Sequence, residues 1–425
     1  MYEEKIIYEY TKAVEYIKGH SRFGSLIKPD TTIIGKRCFA KCDRNVVRIP
    51  DSVKIIEEDA FSGCKNLTEV SLSNNLETIK ERAFDKCNLK FFQLPDSIKE
   101  IKRLAFSGVK DSVKEFYLPK NLEKIDFLAF GHLNVDKLYI PKNVIDFSSV
   151  AFKNVKEFII DKDNPKYTSV DGNLYSKDLK TLIRLGNNNK ILNVETIAYG
   201  SFWNTHSDKI ELSKSVKTIE EKAFIDAKIK TLIIPESVDS IDTNAFNFLK
   251  CKEIITDNKN IEVKDGGVYK IDSFTDKCLI YYMSLRDETS FKVADECIKI
   301  NKFAFEKTKL ETVDFGKGSM LTIDKDAFNS CNKLTVLKIK RPISLDINDV
   351  IDGTKVKTFS LPNGSHILGS PTKECNIIVS ENDYKKYKPF VKRQAILEKQ
   401  KPLEELIKSS KSFKEINDIY KEIER

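Results

Sequence analysis

Apolar positions recur in a fixed order along most of the chain. Residues 67–87 read LTEVSLSNNLETIKERAFDKC, residues 113–133 read VKEFYLPKNLEKIDFLAFGHL, and residues 229–249 read IKTLIIPESVDSIDTNAFNFL. In the first copy Leu67, Val70 and Leu72 point one way, and Glu69 and Ser71 point to the other face. A strand is therefore predicted at this point of each copy. Pro50, Pro95, Pro119, Pro141, Pro235 and Pro362 follow the strand and stop it, because proline has no N–H to give a ladder. An apolar pair such as Leu122 and Ile125 then starts the return path, and an Ala-Phe pair packs where only a small residue and a ring fit.

The phenylalanine of that pair dates every copy. The anchors are Phe39, Phe61, Phe84, Phe106, Phe130, Phe152, Phe202, Phe224, Phe246, Phe305 and Phe328. Their successive gaps are 22, 23, 22, 24, 22, 50, 22, 22, 59 and 23, so eight of ten lie within one residue of 23. A period of about 20–29 residues with spaced Leu, Ile and Val is that of leucine-rich repeats. One copy has too few apolar residues to fold alone, whereas stacked copies bury a continuous column and pair their strands side by side. The pattern predicts a single leucine-rich repeat solenoid, mainly β with short helical or loop returns. At ~4.8 Å between neighbours, about twelve strands would span on the order of 55 Å.

The two long gaps predict inserts. Asp171-Gly172 lies 19 and 20 residues past Phe152, and Asp265-Gly266 lies at the same offsets past Phe246. Asp-Gly between β-prone runs signals a hairpin. Two β-hairpin inserts are expected, at about 161–190 and 256–292, each projecting from one edge of the solenoid. The solenoid itself is assigned to 30–380. The ends are read as helical caps, 1–29 and 381–425. Ile6, Tyr10, Ala13, Val14 and Ile17 fall on one helical face. In the tail Pro389 and Pro402 punctuate a helical composition, and Ser412 with Glu415 has capping-box spacing.

The run I-x-x-x-A-F-x-x-C, together with L-x-x-V-x-L-P, resembles the BspA-like leucine-rich repeat family. The segments NPKYTSVDGNLYSKDLKTLIR and NIIVSENDYKKYK also resemble stretches found in that family. The resemblance covers roughly residues 30–390. It implies a right-handed solenoid used for protein or surface recognition, with no catalytic set. The family's best-known members are surface adhesins that carry export signals.

Composition narrows the function classes. Of 425 residues, 40% are apolar and 32% charged, enough to bury a core. The charge sum, 72 − 64 = +8, is mild over this length and both signs are interleaved, so no nucleic-acid partner is expected. No stretch approaches the ~18 apolar residues of a membrane span. Glu3 and Glu4 open the chain where a secretory leader would carry basic residues. A cytoplasmic location is expected, with the cell surface as the alternative. Cys42, Cys64, Cys87 and Cys331 stand three residues after an anchor Phe, where other copies place Val109, Leu133 or Ala227. A slot that accepts all of these is buried and apolar. The four His show no metal spacing, and no phosphate-binding or nucleophile motif occurs. Asp161, Asp163 and Asn164 form a short acidic turn without the ligand spacing of a calcium loop. No catalytic residue, no metal and no cofactor is therefore expected.

The outer strand face is the one surface with a legible design. Aligned on their prolines, the strands turn Phe91, Tyr117, Tyr139 and Ile159 outward on neighbouring copies, with Glu115, Lys137 and Glu157 beside them. Aromatic anchors rimmed by charge are what a protein-binding hot spot looks like. β-prone residues also stabilise strands when exposed, which is the plainer reading of the same pattern. The function expected from this face is a non-enzymatic scaffold that binds another protein. The alternative is a cell-surface adhesin.

Overall fold

A computed structural model of the chain describes residues 5–9, 12–17, 27–90, 93–109, 111–271, 276–362, 364–368, 376–379 and 395–397. The chain divides into two compact units, 1–204 and 205–425. Both are β-solenoids.

In the first unit the coils are built from a short inner strand, a tight turn and, in five of them, an outer strand segment. A ladder of two-residue strands runs through Ile33–Ile34, Ile55–Ile56, Thr78–Ile79, Glu100–Ile101, Lys124–Ile125 and Asp146–Phe147, each parallel to the next. The outer segments are Val46–Arg48 with Glu69–Ser71, and Ser112–Tyr117, Phe130–Ile140 and Phe152–Ile160 in parallel order. The turn carries the Ala-Phe pair. Phe39, Phe61, Phe84, Phe106, Phe130 and Phe152 are all buried and form one column of stacked rings. Successive centroids lie 5.0, 5.0, 5.2, 5.1 and 4.9 Å apart with interplanar angles of 1–9°. That spacing is the strand-to-strand distance of a sheet, so one ring per coil automatically meets its successor at stacking range. Burying such a side chain stabilises by about 2–3 kcal/mol.

The backbone of these turns explains why the period holds. Arg37, Asp59, Arg82, Leu104 and Leu128, each two residues before an anchor Phe, have φ between 53° and 58°. A left-handed non-glycine residue costs roughly 1–2 kcal/mol. Here the conformation swings alternate N–H groups out of the turn and onto the next coil. Arg37 N donates to Glu58 O at 3.1 Å, Phe39 N to Ala60 O at 2.7 Å, and Lys41 N to Ser62 O at 2.8 Å. The same three bonds recur from Asp59, Phe61 and Gly63 to Glu81, Ala83 and Asp85. The turns are thus hydrogen-bonded to one another as a sheet is, and at Phe130 and Phe152 a strand begins at the ring itself.

The first hairpin comprises Tyr167–Val170 and Asn173–Ser176, paired antiparallel across Asp171 and Gly172, whose φ values are 51° and 79°. It does not project from an edge. Asn173–Ser176 pairs antiparallel with Thr181–Arg184, which is parallel to the coil strand Thr196–Ile197. Leu174, Tyr175 and Leu182 are buried. The hairpin therefore lies in the ladder, with Leu174 and Tyr175 buried in its core. Gly186 is required by close approach: a Cβ there would meet the carbonyl oxygens of Gly172 and Lys156 at 2.6 Å.

The N-terminal segment differs from the helix expected over 1–29. Lys5–Glu9 and Lys12–Ile17 are antiparallel strands, and the second pairs parallel with Ile33–Ile34. The i, i+3, i+4 spacing of Ile6, Tyr10, Ala13 and Ile17 is outweighed by the β-prone composition of KIIYE and KAVEYI. The first coil also presents a strand edge, whose row of N–H and C=O groups is a template for another strand.

The second unit repeats the plan. His206–Glu211, Lys228–Ile234 and Lys250–Thr256 are parallel, and Thr218–Ile219 pairs with Ser240–Ile241. A second hairpin, Ile261–Lys264 with Gly267–Ile271, is antiparallel across Asp265-Gly266 and is joined to Lys277–Tyr282. That strand runs parallel to Cys297–Ile300, which leads on through Leu321–Ile323, Ile343–Asp346 and His366–Leu368. Rings stack at Phe224–Phe246 (5.7 Å) and Phe305–Phe328 (5.0 Å). The one α-helix among the described residues is Ile347–Gly353, capped by Asp346 accepting from Asn348 N at 3.0 Å. Within the expected C-terminal helical cap, Ala395–Leu397 is a strand parallel to Asn376–Val379. The remainder of 381–425 lies outside the described residues.

Candidate protein-binding face

The three longest outer strands of the first unit, Ser112–Tyr117, Phe130–Ile140 and Phe152–Ile160, form the face expected to bind. Their core side is held by Val135, Leu138, Val155 and Phe158, all buried, and by Phe116, whose ring meets those of Phe130 and Phe152 edge-on at 5.3 and 5.7 Å. Register then fixes what points out. Lys137 is paired with Glu115 on one side and Glu157 on the other, and Tyr139 with Tyr117 and Ile159. Six of the seven residues singled out in the sequence thus form two adjacent rows. The seventh, Phe91, lies outside the described residues.

Side-chain geometry joins the rows. The Tyr117 and Tyr139 rings stack at 4.1 Å with 7° between planes. Both hydroxyls donate to one carboxylate: Tyr117 to Glu115 Oε2 at 3.0 Å and Tyr139 to Glu115 Oε1 at 3.2 Å. The Tyr139 hydroxyl first, then the Glu115 carboxylate, push the Tyr117 phenol up to about 12. Lys137 Nζ lies 3.9 Å from Glu157 Oε2. Tyr117 is 60% exposed, while Tyr139 and Ile159 are half-buried.

Beside the tyrosines runs a groove of about 700 Å³, with Leu94, Pro119, Ile140 and Pro141 among its walls. The prolines that end the strands also form this wall. That part was missed in the sequence, although the proline spacing carried the signal.

Elsewhere the structure adds detail the sequence did not show. The cysteine slot is buried, and it also contains a recurrent hydrogen bond. The thiols of Cys64, Cys87 and Cys331 donate to the carbonyls of Phe39, Phe61 and Phe305 at 3.0, 3.1 and 2.9 Å. Burial pushes the Cys251 and Cys331 thiols up to about 12, the opposite of a nucleophile's adjustment. In the acidic turn, Asn164 is buried and fully engaged. Its amide donates to Pro141 O and Val144 O at 3.0 and 2.9 Å, and its oxygen accepts from Lys166 N and Tyr167 N at 2.9 and 2.8 Å. No three His, Cys, Asp or Glu side chains gather as a metal site among the described residues. No helix among them is long and apolar enough to cross a membrane.

The profile of the BspA type leucine rich repeat region (6 copies) matches residues 32–159, 184–277 and 280–376. The chain belongs to the BspA-type leucine-rich repeat family. Solved structures similar to this BspA-type chain include a leucine-rich repeat protein from Eubacterium ventriosum, at 17% identity over 77% of this chain and 84% of that one, with a TM-score of 0.43. A leucine rich cell surface protein from Faecalibacterium prausnitzii is 19% identical over 96% of each chain, with a TM-score of 0.39. The pneumococcal vaccine antigen PcpA is 20% identical over 87% of this chain and 85% of that one, with a TM-score of 0.41. No curated protein matches the sequence.

Proposed function

We propose that this BspA-type solenoid is a non-enzymatic scaffold that binds another protein through the outer strands of residues 112–160. One observation carries the reading. Tyr117 is kept largely exposed, locked flat against Tyr139 and tied with it to Glu115. A rigid aromatic pair beside a groove loses little side-chain entropy on docking, and such anchors dominate binding energy at protein interfaces. The raised thiols support the absence of nucleophilic chemistry. Cys42, Cys64, Cys87, Cys251, Cys297 and Cys331 are buried free thiols, which suits a reducing compartment such as the cytoplasm. The surface adhesins of the family favour the cell exterior as the second reading, and protease shaving of intact cells separates the two.

Affinity purification from the native cell tests the binding face. The wild-type chain is expected to retain a protein that the Tyr117→Ala/Tyr139→Ala variant loses. Circular dichroism melting should be nearly unchanged, since both changes are on the surface. Equal recovery by the variant would remove this face from consideration.

A further inference from the structure

We infer that the groove beside Tyr117 and Tyr139 receives an arginine side chain from an extended basic segment of the partner; this rests on reading the 112–160 ladder as the binding face. The first argument is charge. The groove is lined by three carboxylates, Asp96, Glu115 and Asp161, and by one cation, Lys120. Lys120 is already spent on Asp96 at 2.9 Å. Lys137 stands opposite Glu115 in the ladder, yet its ammonium lies toward Glu157 at 3.9 Å. Among the described residues neither Glu115 nor Asp161 has a Lys or Arg within ion-pair distance. Asp161 Oδ1 accepts Asp163 N at 2.9 Å, and among the described residues Glu115 accepts only the two tyrosine hydroxyls, so an aromatic groove in which these carboxylates are met by neutral donors favours a cation.

The second argument is shape. Each Glu115 oxygen accepts one tyrosine hydroxyl, which leaves each with a free lone pair. The two oxygens are held in place by those hydroxyls and can take a forked donor. A guanidinium is such a donor: it is planar, weakly hydrated and stacks on aromatic faces, whereas an ammonium is a compact, strongly hydrated point charge. The open Tyr117 ring offers the stacking face. Leu94, Ile140 and Ile159 supply apolar wall for the methylene stem and for aliphatic neighbours of the arginine.

The test uses the full chain on an array of random dodecapeptides, followed by anisotropy titration of the tightest labelled peptide at low and high salt. Arginine is expected to be enriched among captured peptides, beside aliphatic residues. Replacing that arginine by glutamine should weaken binding about tenfold, and by lysine several-fold. Glu115→Gln should weaken the arginine peptide about tenfold and remove its preference over the glutamine peptide; as a surface change it should leave the melting curve in place. Captured peptides that need Tyr117 and Tyr139 but carry no basic residue would overturn the arginine assignment while supporting the scaffold. Arginine peptides that bind Tyr117→Ala/Tyr139→Ala with unchanged affinity would overturn it too. Capture of no peptide would overturn it as well, and the native-cell purification then decides the scaffold reading separately.

Discussion

In the first unit the hairpin after Phe152 is tied down by Asn164, Tyr175 and Arg184; in the second, the hairpin after Phe246 is tied down by Asn258, Tyr269 and Tyr281. The first two positions correspond residue for residue. Asn164 and Asn258 each stand 12 residues past their anchor, and Tyr175 and Tyr269 each stand 23 past it. Asn258, like Asn164, turns its amide onto the preceding coil, donating to Val238 O at 2.7 Å and Glu236 O at 3.0 Å. Both tyrosine hydroxyls accept a backbone N–H, from Leu192 at 3.3 Å and Ala294 at 3.0 Å. The third position is where the two regions part. Arg184 is 2% exposed, with no carboxylate partner among the described residues. Its guanidinium donates to Ser149 O at 2.9 Å, Lys153 O at 3.2 Å and Gly200 O at 3.4 Å, and lies 5.0 Å from the Trp203 ring. Burial lowers its proton affinity. In the second unit the Tyr281 hydroxyl accepts from Cys251 N at 3.1 Å and donates to Leu249 O at 2.9 Å. Interrupting the coil leaves backbone groups that the next coil would have paired. A buried cation meets them in one case and a phenol in the other, because what each site demands is hydrogen-bond partners at given points rather than a particular residue.

The strand faces ahead of the hairpins differ too. At the register positions of Tyr117, Tyr139 and Ile159, the second unit's ladder carries Glu211, Ile233 and Ile255. Ile255 is 45% exposed, but no aromatic pair or tyrosine-clamped carboxylate occurs there. Equal backbone geometry therefore supports a candidate anchor in one ladder and a glutamate with two isoleucines in the other.

Substitutions at the hairpin ties separate these roles. The largest effect is expected for Arg184→Leu, which strands several buried carbonyls and should cost about 4 kcal/mol. Urea unfolding followed by Trp203, the only tryptophan, reads that loss directly. A near-neutral result would mean the carbonyls are satisfied without the guanidinium. Asn164→Ala and Asn258→Ala should each cost about 3 kcal/mol, equal within about 1 kcal/mol, by loss of buried amide bonds. Unequal costs, measured by hydrogen exchange in the flanking strands, would break the correspondence of the two regions. Tyr281→Phe keeps the ring and removes only the hydroxyl, so about 2 kcal/mol is expected by the same measurement. Losses as large as that of Arg184→Leu would show that ring packing rather than the hydroxyl had been disturbed.

Much of this fold is legible in the sequence because the period is written in large residues. The Phe column follows from the spacing alone, and the Asp-Gly turns at equal offsets announce both hairpins. The rows of the candidate face follow from aligning prolines. Other parts depend on information a period does not carry. The helical spacing at Ile6, Tyr10 and Ile17 said nothing of the strand edge at Ile33–Ile34 that draws a strand. The hairpins were expected outside the stack because their pairing with Thr181–Arg184 and Lys277–Tyr282 is set by burial, not by the turn. Arg184 was invisible as a core residue, since its charge reads as surface and its counterpart is a tyrosine. At the face, the shared carboxylate of Glu115 depends on rotamers that register permits but does not dictate.

The cross-coil bonding of the Ala-Phe turns also bears on how such a chain changes length. The turns at Phe39, Phe61, Phe84, Phe106 and Phe130 borrow acceptors from the copy that follows, at the left-handed residue and at the ring residue itself. Duplicating a whole copy preserves every donor and acceptor, because the newcomer is both lender and borrower. Deleting a single residue inside a turn shifts the left-handed positions off their acceptors and propagates to both neighbours. Growth by whole periods is thus nearly silent, whereas a one-residue slip is a frame error in three dimensions.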